Sequence, residues 1–423
     1  MQFSSDESFA RQLDAEDPLR SFRDKFHLPL GKDGKPLIYF AGNSLGLMPK
    51  SAKSVVDQEL NDWAKLGVDA HFEAKTPWYT YHEPLREPTA RIVGANPVEV
   101  ICMNSLTVNL HMLLATFYRP TKSRFKILVE DPTFPSDTYA IKTQIRHHGF
   151  DPKDALVLAS PRKGEFTVRT EDVLDLIEKN RDSLAIVWIA GVNFFTGQFF
   201  DVPTITKAAQ KHGITVGFDL AHGVGNVPLS MHDWNVDFAV WCTYKYLNAG
   251  SGAIAGAYLH ERHATNTKLP RLAGWFGNDP NKRFQMQLEP EFIPVASADA
   301  WQVSNPPILS MAPLLASLAI FDEAGGMNPL REKSLKLTGY LEFLLSQAGS
   351  KRYSVITPSN ASARGCQLSI LAQEHPKELF KELQAAGVKC DFREPNVVRV
   401  APTPLYNTFH EVWHFAQILS SHK

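Results

Sequence analysis

Cysteine is scarce in this chain. Cys102, Cys242, Cys366 and Cys390 are scattered over 423 residues and form no C-x-x-C pair. They are too few to staple a chain of this length, so reduced thiols in a cytoplasmic setting are expected. An excess of charge of one sign is also missing. The 44 basic residues are offset by 45 acidic ones, for a formal net charge of −1. That balance gives no electrostatic commitment to nucleic acid or to an anionic membrane. No stretch approaches the ~20 apolar residues that span a bilayer. The start, Met1-Gln-Phe-Ser-Ser-Asp-Glu7, lacks the basic opening and apolar run of a signal peptide. Internal repeats and low-complexity segments are absent too. The expected partner is therefore a small molecule or another protein chain.

What is present is ordinary globular material, 44% hydrophobic and 21% charged, in a length that buries a large core without disulfides or metals. Lys126–Glu130, Leu184–Ile189, Ile214–Phe218 and Asp237–Trp241 read as strands buried on both faces. Helical periodicity lies between them, at Ser136–His148, Thr170–Asn180 and Pro203–His212. This alternation predicts an α/β fold, a mostly parallel sheet covered by helices, with functional residues at the carboxyl ends of the strands. After Ser304-Asn-Pro-Pro307 comes a long helical pattern, Ile308 to Ala324, stopped by Gly325-Gly326. Helices near Leu330–Ser346 and Pro376–Ala386 then mix with strand-like runs at Cys366–Leu371 and Val397–Val400, which predicts a smaller α+β domain. The expected division is residues 1–45 packing with the small domain, 46–305 as the large domain and 306–423 as the small one.

The most informative segment is Thr243-Tyr-Lys-Tyr-Leu-Asn-Ala-Gly-Ser-Gly252, directly after a strand. A partly desolvated Lys245 there can act as an amine nucleophile, although position alone equally suits a solvated loop lysine. Asp219, in Phe218-Asp-Leu-Ala-His222, follows the preceding strand. Pyridoxal phosphate needs such a pair: a lysine for its aldehyde and a carboxylate to keep its ring nitrogen protonated. Asp219 also suits a helix N-cap, and the two roles are compatible. His222 could buttress Asp219 or touch the phosphate. Asn104-Ser-Leu-Thr107 opens the apolar helix Val108–Phe117 and offers free N–H groups to an anion. Phe134-Pro-Ser-Asp137 adds an aromatic face and a further carboxylate.

These motifs resemble the kynureninase family, as do Gly42-Asn-Ser-Leu-Gly46, Leu106-Thr-Val-Asn-Leu-His111, Ala273-Gly-Trp275, Val303-Ser-Asn-Pro-Pro307 and Val398-Arg-Val-Ala-Pro402. The similarity is in order from about residue 38 to near the C-terminus. It implies a fold type I, aminotransferase-like homodimer with shared sites. Its large domain would carry a seven-stranded type of sheet. The implied reaction, within tryptophan breakdown, is hydrolytic Cβ–Cγ cleavage of L-kynurenine or 3-hydroxy-L-kynurenine to L-alanine and anthranilate or 3-hydroxyanthranilate. By this resemblance Lys245 holds the cofactor, Asp219 meets the ring nitrogen and Phe134 lies on the ring. Leu106, Thr107, Pro135, Ser136, Asp137, His222 and Tyr244 complete the site, with Tyr244 also a proton relay. Trp275 and Asn305 would reach across from the neighbouring subunit. Arg399 would hold the substrate carboxylate, and Ser44, Ser304, Asn305 and His71 would meet the substrate, His71 and Asn305 favouring a ring hydroxyl. His71 equally suits a surface loop. Ala190 stands where a small polar residue is often found and is given no role.

Two rivals follow from other motifs. His410-Glu411-Val412-Trp413-His414 matches the zincin pattern H-E-x-x-H, but its setting reads as an ordinary amphipathic helix, and no metal is expected. A cysteine desulfurase of the same fold would need a mobile nucleophilic cysteine, and none of the four sits in an obvious loop.

Overall fold

The structure, a computed structural model, describes residues 2–347 and 352–421. Residues 1, 348–351 and 422–423, at or within the expected terminal segments, lie outside the described residues. Seven strands form the large sheet: β1 (Val100–Cys102), β2 (Lys126–Glu130), β3 (Leu156–Ala159), β4 (Leu184–Ala190), β5 (Thr215–Asp219), β6 (Phe238–Cys242) and β7 (Ala255–Leu259). They lie in the order β1-β7-β6-β5-β4-β2-β3. Only β7 runs against its neighbours, so the sheet is mostly parallel, as predicted.

Alternate residues of the central strands feed two cores. Val187, Ile189, Val216, Phe218, Ala239 and Trp241 pack on one face. Ile186, Trp188, Phe238 and Val240 pack on the other with Ile127 and Val129. Both faces are dry, which is why these strands read as continuous apolar runs.

The second sheet is antiparallel: β8 (Tyr353–Val355), β9 (Leu368–Ala372), β10 (Asp391–Arg393) and β11 (Val397–Val400), in the order β10-β11-β9-β8. Helices Met327–Gln347, Pro376–Ala385 and Phe409–Ser421 share its core. The N-terminal helix Glu7–Ala15 packs on the last helix, and Ile38–Tyr39 pairs in parallel with Val388–Lys389. Leu19, Phe22 and Phe26 turn instead to the large core.

Helix Ile308–Glu323 also belongs to the large core, burying Met311, Leu314, Leu318 and Phe321 there; Leu330 follows. Small-domain packing resumes at Leu337. The change of core falls within helix Met327–Gln347, and the apolar helix after Pro307 lies back on helices Ala52–Leu66 and Glu83–Val93. Among the described residues no single helix is long and apolar enough to cross a membrane.

Candidate active site

β5 and β6 are parallel neighbours, so their carboxyl ends open on the same side of the sheet. Asp219 is the last residue of β5, and Lys245 follows just beyond β6. Between them lies a cavity of about 170 Å³, lined by Leu106, Thr107, Phe134, Ser136, Asp219, His222, Tyr244 and Lys245, together with Ala190, Val192, Phe194 and Ala221. Eight residues singled out from sequence thus meet in one place. Gly46 packs so closely on this segment that a Cβ would run into Asn248 and the Lys245 carbonyl, while its own N–H donates to the Tyr244 carbonyl at 2.8 Å.

Lys245 Nζ lies 3.1 Å from His222 Nε2 and 5.8 Å from the centre of the Phe134 ring. Burial, then the nearby Lys245, hold the His222 imidazole well below its ordinary pKa. A neutral ring accepts from the lysine amine through Nε2, while the buried Nδ1 has no partner among the described residues.

Three carboxyl groups are buried under the cavity. Asp219 accepts the Ala221 N–H at 2.8 Å, and Asp137 accepts the Trp188 indole N–H at 3.0 Å. Burial raises both, and the Asp219 charge adds to the rise at Asp137. Lys245 opposes the rise at both. Glu130 accepts the Ala190 N–H at 3.2 Å, and burial pushes its carboxyl up to about 8.

The other end of the cavity faces two helix starts. Leu106 and Thr107 open helix Leu106–Phe117, and Ser136 lies in the first turn of helix Pro135–His147, where Pro135 takes the first position. Neither start has a side-chain cap, which leaves N–H groups for an anion. Thr107 Oγ1 and Ser136 Oγ lie 3.0 Å apart. An amine, a carboxylate, an aromatic wall and an anion cradle are the donor set that pyridoxal phosphate requires. The unpartnered buried atoms His222 Nδ1 and Asp137 Oδ1 fit an additional polar group.

Arg399, on β11, is 1% exposed. It donates to the Phe194 carbonyl at 2.5 Å and to Asp391, which faces it across the strand pair, and it lies 3.4 Å from Ser44 Oγ. Its Nε has no partner among the described residues. Phe194 joins this guanidinium to the cavity: it lines the wall and meets Phe134 edge-on at 5.3 Å. Phe194, Asp391 and Glu130 are not identified by the sequence reading. No local motif marks them, since each acts through a contact distant in sequence.

Other expected residues lie apart within this chain. Ser304 and Asn305 line a neighbouring cleft of about 480 Å³, whose wall Tyr244 shares with the first cavity. Trp275 and His71 line neither. Trp275 packs on Phe276 at 5.3 Å, and His71 binds the Val68 carbonyl at 3.0 Å and meets Trp78 edge-on.

The rivals fare poorly. His410 binds Glu7 at 3.0 Å, Glu411 binds Arg23 at 2.7 Å and His414 is exposed, so the three do not converge. Cys102, Cys242 and Cys366 are buried. Burial raises all four thiols, with Cys102, Cys366 and Cys390 pushed up to about 12, the opposite of an activated nucleophile.

Residues 45–235 match the family described as aminotransferase class I and II, and residues 330–419 match the kynureninase C-terminal domain. The cysteine desulfurase CsdA from Escherichia coli has a similar structure, with a TM-score of 0.75 at 17% identity, covering 95% of this chain and 97% of that one. That likeness establishes the fold alone, the aminotransferase-like fold type I. Kynureninase from Myxococcus xanthus is 53% identical over 99% of this chain and 98% of its own. The Homo sapiens kynureninase is 48% identical over 99% of this chain and 93% of its own. With a lysine, an aspartate and a buried arginine gathered at the carboxyl end of such a sheet, and with similarity of this extent, the chain belongs to the kynureninase family.

Proposed function

We propose that this chain hydrolyses the Cβ–Cγ bond of L-kynurenine and 3-hydroxy-L-kynurenine, releasing L-alanine and anthranilate or 3-hydroxyanthranilate, with pyridoxal 5'-phosphate as cofactor. The observation that carries this reading is the joining of Lys245, Asp219 and Arg399 through one cavity wall in a chain of this family. The cofactor, when bound, supplies an electron sink for the breaking bonds. Lys245 would hold its aldehyde, and Asp219 would keep its ring nitrogen protonated. Phe134 covers the ring. Leu106, Thr107, Pro135, Ser136 and His222 serve the phosphate and its surroundings.

Arg399, with Ser44 beside it, binds the substrate α-carboxylate. The freed Lys245 amine takes the proton from Cα. Water adds to the substrate's γ-carbonyl, the bond to Cβ breaks, and the aryl acid departs. Tyr244 relays a proton to the alanine fragment.

The working form is a homodimer in the cytoplasm, with no nucleic-acid or membrane partner. Phe72 and Phe284 are 61% and 63% exposed, and they pack beside Tyr79 and Trp275 into an aromatic surface that a second copy would cover. Covering it would bring His71, Trp275, Ser304 and Asn305 toward the partner's cavity, where His71 and Asn305 favour a ring hydroxyl. The proposed division is residues 1–45 packing with the small domain, 46–305 as the large cofactor-binding domain and 306–423 as the small domain.

Side-by-side turnover of L-kynurenine and 3-hydroxy-L-kynurenine, with added cofactor, tests the proposal. Alanine release with a higher kcat/KM for the hydroxylated substrate supports it. Bound cofactor without cleavage of either substrate would refute the activity.

A further inference from the structure

A second cluster of ligand-type side chains lies at the far end of the large sheet. Glu99 precedes β1, His232 lies between β5 and β6, and His260 follows β7. The end of β7 pairs with the start of β6, whereas Lys245 lies beyond the end of β6. The cluster is therefore at the opposite edge from the catalytic cavity.

Glu99 is fully buried, at 0% exposed. Its ionic partners among the described residues are two imidazoles, with no lysine or arginine. Its two oxygens also accept the Asn96 and Glu261 N–H groups, at 2.7 and 2.6 Å. His232 Nδ1 lies 2.9 Å from Glu99 Oε1, and His260 Nδ1 lies 3.7 Å from the same oxygen. His232 Nδ1 is also 3.2 Å from the Asn96 side-chain amide, so one ring nitrogen faces a donor and an acceptor together. The three ligand atoms all lie within 4.8 Å of one another. Two imidazoles and a carboxylate at such spacings suit a four-coordinate ion with metal–ligand bonds of about 2 Å.

We propose that Glu99, His232 and His260 bind one divalent transition-metal ion of the zinc class. The ion clips the segment before β1 to the β5–β6 connection and to the end of β7. Water fills the fourth position. His232, with a side chain 35% exposed, opens the site to solvent.

The test uses the full chain loaded with cofactor, stripped with chelator and titrated with Co²⁺. One site per chain is expected, with the visible bands of tetrahedral cobalt, displaced by Zn²⁺. The double variant His232→Gln/His260→Gln should lose the bands while turnover stays unchanged, and His410→Gln should keep them. If the double variant does not fold, His232→Gln alone, at the partly exposed ligand, should abolish the tetrahedral spectrum. Absence of cobalt bands in the native chain, or their persistence when His232 is replaced, would overturn the site.

Discussion

Replacing Asp391 by Asn isolates the group that aims Arg399. In the folded chain one Asp391 carboxylate oxygen receives Arg399, the Ser44 hydroxyl at 2.5 Å and Arg393 at 3.1 Å. Burial works to raise this carboxyl, but Arg399, Ser44 and Arg393 outweigh it and leave it below the ordinary carboxylate range. The pairing is thus complete at neutral pH and weakens only as acid approaches that lowered value. Asparagine keeps an acceptor of the same shape and removes the charge. Hydrogen bonds to charged groups contribute about 1–2 kcal/mol more than neutral ones, which corresponds to a factor of roughly 5–30. If Asp391 orients the guanidinium for the substrate carboxylate, KM for kynurenine should rise by about that factor while kcat changes little. Steady-state kinetics across pH 6–9 would read this out, with the Asp391→Glu variant as a partial rescue. A kcat/KM within twofold of the native value would refute the orienting role. A fall in kcat at constant KM would shift Asp391 to the chemical steps.

Three further outcomes follow from the structure. Lys245→Ala should abolish turnover and the absorbance of the lysine-bound cofactor, and a variant that retained both would remove Lys245 from the chemistry. Asp17→Ala should destabilise the chain by about 3–5 kcal/mol in urea unfolding, because it strands Lys333, now paired at 2.7 Å with both groups under 10% exposed; a loss under about 1 kcal/mol would contradict this. His82 is held down to about 4 from 6.5, chiefly by burial. The unfolded chain then binds the proton first, so stability is full above pH 6.5 and is lost as pH falls toward 4, by up to about 3 kcal/mol. His82→Phe should remove that part of the acid sensitivity, and identical pH–stability curves would show that His82 does not carry it.

Much of the catalytic face is legible in the sequence because its signals are local. β2 and β11 span the residues the apolar runs predict, and β4, β5 and β6 differ by a residue at their ends. The apolar helix after Pro307 is likewise found where its periodicity places it. β7 has no such signal: Ala255-Gly-Ala-Tyr-Leu259 is small and glycine-containing, because Gly256 lies directly against the Trp241 ring of the neighbouring strand. The boundary between domains is equally hidden, since helix Ile308–Glu323 is apolar all round and the sequence does not say which core it enters.

By itself the sequence determined the strand–helix alternation, the lysine and aspartate at adjacent strand ends, and the family motifs, all carried by residues close in the chain. Only the tertiary structure decided which groups stand beside them. It set Asp391 opposite Arg399 by strand register, and it turned the Phe194 carbonyl, 205 positions earlier in the chain, onto that guanidinium. It also left Asp137 and Glu130 in a dry space where burial raises both carboxyl groups. Those results depend on distance and on burial, and both are properties of the folded chain.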